Sequence, residues 1–83
     1  MRILIVDDDT AIIEVIRDTV DWDKLGIDEI DVAYDAQGAR ESLTDKAADI
    51  VISDIEMPGE SGLDLLKWFR DEEMPGKFLL LTS

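Results

Sequence analysis

Hydrophobic positions along this chain come in blocks whose period changes from one block to the next. Arg2-Ile3-Leu4-Ile5-Val6 is a short continuous apolar run that ends in acids, the pattern of a strand buried on both faces. From Thr10 onward the period lengthens. Ile12, Ile16 and Val20, with Ile13 beside them, fall on one helical stripe, and Glu14, Arg17 and Asp18 lie off it. Asp9 or Thr10 is suited to cap this helix, and Gly26 to stop the chain after a loosened last turn through Trp22 and Leu25. Residues 27–34 carry a weaker strand signal, with Ile30 and Val32 between acids, as expected of an edge or half-exposed strand.

The second half repeats the alternation. Ala36, Ala39, Leu43 and Ala47 outline a helix with a small-residue face, and Ile50-Val51-Ile52 marks a second fully apolar strand over 49–53. Met57-Pro58-Gly59 is a turn. Gly62, Leu65, Leu66 and Phe69 line a third helix reaching about Glu73; Pro75-Gly76 turns the chain again, and 77–81 is a third apolar strand before Thr82-Ser83. Strand and helix alternate from start to end, which predicts an α/β fold with a parallel sheet and right-handed crossovers. The pattern closes on Phe78-Leu79-Leu80-Leu81 with nothing after it to cover that edge. An open apolar edge invites pairing with another chain, so either a second copy covers it or the sequence is part of a longer protein; the second is the expectation.

Composition narrows the chemistry. With 83 residues and 46% of them hydrophobic, the chain suffices for one small domain with a core. No apolar run approaches the roughly 18 residues of a membrane span, and no signal-peptide pattern opens the chain, so a soluble cytoplasmic protein is expected. Acidic residues outnumber basic ones 21 to 8, for a net charge of −13, which disfavours direct contact with nucleic acid or anionic membranes. There is no cysteine and no histidine, which removes thiolate and imidazole chemistry and leaves carboxylates, hydroxyls and lysines.

Ligands of parallel α/β sheets sit beyond the carboxyl ends of the strands. Two of the fully apolar strands end there in acids, Asp7-Asp8-Asp9 after the first and Asp54 after the third. If those strands are neighbours, their carboxylates meet. Acids so gathered repel one another unless a cation sits among them, and a site of hard oxygen donors alone suits Mg²⁺. A carboxylate, Mg²⁺ and room for a phosphoryl group suggest transfer onto an aspartate. Each piece has an ordinary explanation by itself: three acids and a threonine are a common helix start, and Ser53-Asp54 before Pro58-Gly59 is ordinary turn chemistry. Their coincidence at matching strand ends favours a site.

These residues also resemble a family. Ile5-Val6-Asp7-Asp8, then Asp54-Ile55-Glu56-Met57-Pro58-Gly59 followed by Gly62, then Leu80-Leu81-Thr82 look like the three motifs of response-regulator receiver domains, in order and over the whole chain. The resemblance implies a flavodoxin-like, three-layer α/β/α fold, here truncated after the fourth strand, with residues 1–83 forming an incomplete receiver domain that lacks its last strand and last two helices. It implies that Asp54 is the phosphoacceptor. Asp8 would bind Mg²⁺ directly, Asp7 mostly through a metal-bound water, and Asp54 and the backbone carbonyl of Glu56 would complete the ligands. Thr82 would be the switch hydroxyl. The donor would be a sensor histidine kinase, since this chain has no histidine of its own. Asp21-Trp22-Asp23-Lys24-Leu25-Gly26-Ile27 further resembles receivers joined to AraC-type DNA-binding output domains. The family's catalytic lysine has no counterpart here, neither Lys67 nor Lys77 standing at its position, so metal binding is expected to survive better than phosphorylation in this chain. The alternatives are a haloacid-dehalogenase-type phosphatase, which Asp7-x-Asp9 fits but Ala11 does not, and a receiver-like interaction module without phosphorylation. Nucleotide-binding folds are disfavoured by the absence of a glycine-rich phosphate loop.

Overall fold

In the computed structural model, which describes residues 1–81, the alternation becomes seven elements. They are β1 (Arg2–Val6), α1 (Thr10–Thr19), β2 (Glu29–Ala33), α2 (Ala36–Asp45), β3 (Ile50–Asp54), α3 (Gly62–Asp71) and β4 (Lys77–Leu81). The strands form one parallel sheet in the order β2-β1-β3-β4. The two strands that end in acids are therefore neighbours, with Val6 level with Ser53. β1 is buried along its whole length, as a central strand covered on both faces must be.

Alternation along the strands sorts the core into two layers. Leu4, Val6 and Val51 point to the side where α2 and α3 lie and pack with Ala36, Ala39, Leu43, Leu65 and Phe69. On the same side Phe78 of β4 meets Phe69 edge-on, ring centroids 5.3 Å apart. Ile3 and Ile5 point the other way and are buried together with Ile13 of α1. This is the three-layer flavodoxin-like arrangement expected from the sequence. Among the described residues the second face is thinly covered, with α1 the one helix left for it once α2 and α3 pack on the other. Leu79 and Leu81 of β4 are 53% and 39% exposed there.

Several local expectations need correction. Ile12 does not lie on the inward stripe of α1: it is exposed, as is Val15, whereas Ile13 is buried and Ile16 half-buried. Two stripes of apolar residues run along this helix, and only contact with the sheet decides which faces inward. Ala47 lies beyond the end of α2 and is exposed; Ala48 takes the buried place. β4 reads as a fully apolar strand but is alternately exposed and half-buried, since it forms the edge of the sheet. β3 includes Asp54 as its last residue, α3 ends at Asp71, and β2 is confined to Glu29–Ala33.

The opposite end of the sheet from Asp54 is held by a buried cation. Arg2, 7% exposed, donates through Nε to Asp31 at 2.7 Å, through Nη2 to the Ser42 hydroxyl at 2.7 Å, and through Nη1 to the Lys46 carbonyl. The backbone N–H of Arg2 donates to the Asp49 carboxylate at 2.7 Å. The guanidinium fork thus joins β1, β2 and α2, and its hydrogen bonding offsets the cost of burying its charge.

Candidate functional site

Three short segments converge at the carboxyl end of the sheet. β1 delivers Asp7 and Asp8, β3 delivers Asp54, and the loop 55–61 folds over the end of β3 into α3. Asp7, Asp8 and Asp54 each bring a carboxylate oxygen within 4.8 Å of the others. Asp7 is buried at 3% exposure, Asp54 is half-buried and Asp8 is exposed, so the cluster runs from the carboxyl end of the central strands out to solvent.

Asp9 is diverted from the cluster. Its carboxylate accepts from the backbone N–H groups of Ala11 at 3.0 Å and Ile12 at 3.4 Å, capping α1. Its own N–H donates to Asp7 Oδ1 at 2.9 Å. The run of three acids is thereby divided by role: the third starts the helix, and the first two turn toward Asp54. The Asp7-x-Asp9 pairing on which the phosphatase alternative rested is not formed at the cluster.

Charge in the cluster is uncompensated. Among the described residues none of the salt bridges includes Asp7, Asp8 or Asp54. Burial pushes the Asp7 carboxyl above its ordinary range. The hydrogen bond from Asp9 opposes this, and the neighbouring charges of Asp54, Asp8 and Asp9 add to it. Hard oxygen donors, close spacing and unneutralised negative charge fit a small divalent cation of the Mg²⁺ type.

The loop after β3 is shaped by its sequence. Gly59, at φ +81°, makes the turn after Pro58. The N–H of Gly62 donates to the Ile55 carbonyl at 2.8 Å and closes the loop at its base. A Cβ on Gly62 would run into the Asp54 carbonyl oxygen, so only glycine lets α3 start this close to β3. Ser61 then caps α3 in a reciprocal box with Asp64, accepting at 3.2 Å and donating at 3.1 Å. Met57 is buried in the core below, and Glu56 between it and the strand is exposed. Thr82, the expected switch hydroxyl, lies outside the described residues.

Comparison with known proteins decides the family. The profile of the response regulator receiver domain matches residues 3–83. The chain belongs to the response regulator receiver family. The transcriptional regulatory protein YesN of Bacillus subtilis is 36% identical over 82 residues, which are 99% of this chain and 22% of that protein. The response regulator TrrA of Thermotoga maritima, solved in complex with Mg²⁺ and a beryllium fluoride, is 38% identical with a TM-score of 0.84, covering 98% of this chain and 68% of that one. A two-component regulator of AraC type from Clostridium phytofermentans shares the fold at a TM-score of 0.92 and 24% identity, over 100% of this chain and 67% of that one. This receiver domain thus spans about a fifth of YesN and two thirds of the solved relatives. It is a receiver domain of a two-component response regulator, a signalling module. Among its described residues no helix is long and apolar enough to cross a membrane.

Sequence reasoning named Asp7, Asp8 and Asp54, and all three meet. It did not single out the role of Gly62 as the close approach of α3 to Asp54. Nor did it note Arg40 of α2, which donates to Glu60 of the loop at 2.6 and 2.5 Å. Twenty positions separate these two, and no periodic pattern links them.

Proposed function

We propose that this receiver domain accepts a phosphoryl group on Asp54 from the phosphohistidine of a sensor kinase. The observation that carries this reading is the meeting of Asp7, Asp8 and Asp54 within 4.8 Å while Asp9 is spent on the helix cap. An Asp54 carboxylate oxygen attacks phosphorus, the P–N bond of the donor breaks, and the donor imidazole leaves with the bond's electron pair and recovers a proton. Asp8 and Asp54 would hold Mg²⁺ directly and Asp7 through a bound water, with the Glu56 carbonyl completing the protein ligands. When bound, Mg²⁺ balances the charge of the incoming phosphoryl oxygens. Burial favours the protonated form of Asp7, and a divalent cation beside it would offset that cost and keep the carboxylate ionised. The Gly62 N–H bond to the Ile55 carbonyl closes the base of the loop that carries Glu56.

In the parent protein the domain works in the cytoplasm and relays its state to a DNA-binding output domain, of AraC type by the resemblance of 21–27 to such receivers. The switch is Thr82, through a hydrogen bond to the phosphoryl group. The acidic surface, net −13, leaves DNA contact to the output domain. As a separate chain this domain self-associates through the β4 edge.

Incubation with Mg²⁺ and acetyl phosphate, followed by intact-mass measurement, tests the central claim. A phosphoryl adduct is expected on the wild type, absent when Mg²⁺ is chelated and absent in Asp54→Ala. Labelling that persists in Asp54→Ala, or maps to Asp7, overturns it.

A further inference from the structure

The loop 55–61 has two halves with different supports. Its first half is anchored by Met57 in the core and by the Ile55 N–H, which donates to Leu81 at 3.3 Å. Its second half, Pro58 to Glu60, is exposed. Among the described residues, positions 56–60 make no backbone–backbone hydrogen bond. A cleft lined by Asp35, Ala36, Gln37, Pro58, Gly59 and Glu60 separates this half from the start of α2. The connection across that cleft is the two-pronged pair of Arg40 Nη1 and Nη2 with Glu60 Oε2 and Oε1. Arg40 is 25% exposed and Glu60 48%, so the arginine is rooted on the helix and the glutamate reaches to it. Planar fork-to-carboxylate pairing fixes orientation as well as distance, which a lysine at this place would not do.

We infer that Arg40 is a positioning residue for the metal site: by clamping Glu60 to α2 it holds the loop that carries the Glu56 carbonyl. The inference rests on the proposed Mg²⁺ site and adds a device to it. Arg40 touches neither metal nor phosphoryl group. It acts through the backbone between Glu60 and Glu56, as groups behind a ligand commonly do.

The sign of the effect separates clamping from simple charge. A cation removed from the surroundings of a Mg²⁺ site tightens binding through space, and an anion removed weakens it. Clamping requires that Arg40→Gln and Glu60→Gln both weaken Mg²⁺ binding, by roughly 3- to 10-fold, and that the exchanged pair Arg40→Glu with Glu60→Arg restores most of it. Isothermal titration of the intact chain with MgCl₂ reads the affinity. The heteronuclear ¹⁵N NOE of the Gly59 and Glu60 amides reads the order of the loop without metal, and is expected to fall in both single variants and recover in the exchange. Tighter Mg²⁺ binding by Arg40→Gln, or unchanged affinity with a loosened loop, overturns the inference and leaves the metal site standing. A wild type that takes up no Mg²⁺, with the loop NOE still dependent on Arg40, overturns the metal site itself.

Discussion

Asp7 is where burial and charge act most strongly against each other. Its carboxyl is nearly sealed from water beside two other acids, and its folded-state affinity for a proton is raised above the ordinary value of 3.8. The folded domain without metal therefore holds a proton that the unfolded chain releases, and Asp7 lowers stability as pH rises above that value. Asp7→Asn is expected to stabilise the metal-free domain at neutral pH by about 1 kcal/mol, an advantage that shrinks toward pH 4 and reverses when saturating Mg²⁺ is added to the wild type. Thermal melts of both proteins across pH, with and without MgCl₂, check this. Equal melting at neutral pH without metal would contradict it. Arg2 sets the opposite case at the far end of the sheet. Its hydrogen bond holds the Asp31 carboxyl below the ordinary range, so that contribution is present above pH 4 and is lost as pH falls through the depressed value. Because Asp31 and Glu29 still reach solvent, Arg2→Ala is expected to cost about 2 kcal/mol, not the larger figure of a fully buried pair. Urea unfolding at pH 7 and at about pH 2, below the depressed value, should show the penalty shrinking in acid.

At the scale of elements, the start of α1 was readable, and Asp9 caps it. α1 ends at Thr19, before the turn through Trp22 and Leu25 expected to finish it, with Gly26 at φ +74° farther on. The Ser61–Asp64 box that starts α3 went unnamed in the sequence, although its signal is local. Both caps follow a rule acting within four residues. Ser61→Ala is expected to destabilise by about 1 kcal/mol and leave the slope of denaturant unfolding unchanged. Gly62→Ala meets backbone, not a movable side chain, and is expected to cost about 1–3 kcal/mol and to weaken Mg²⁺ binding as α3 backs away from Asp54. Chemical denaturation and metal titration of the two variants separate a cap lost from a site displaced. The inward face of α1 was not readable in the same way. Ile12, Ile13, Val15 and Ile16 give the helix two apolar stripes, and periodicity assigns neither to the sheet. In the folded chain Ile13 is buried, while Ile12 and Val15 face water.

For the molecule as a whole, the two faces of the sheet are unequally covered. Among the described residues α2 and α3 shield one face and α1 is left for the other, and Leu79 and Leu81 stand exposed on an edge strand. Edge groups that lack partners pair with another chain, although the net charge of −13 opposes approach. Self-association should therefore strengthen with salt, and Leu79→Lys should suppress it without lowering the melting temperature, as read by sedimentation velocity at low and high ionic strength. A monomer at high salt and high concentration would refute the idea.

What the sequence determined by itself was the alternation of periods, and with it seven elements, a parallel α/β sheet and acids at two strand ends. These follow from local rules, because a side chain's position along a strand or helix is set by backbone geometry. Tertiary structure decided the rest. It placed β1 beside β3 so that Asp7 and Asp8 meet Asp54, turned Asp9 away to a helix end, chose the inward stripe of α1, and brought Arg40 to Glu60. Those outcomes depend on which surfaces pack together, and packing joins residues whose separation along the chain carries no period to read.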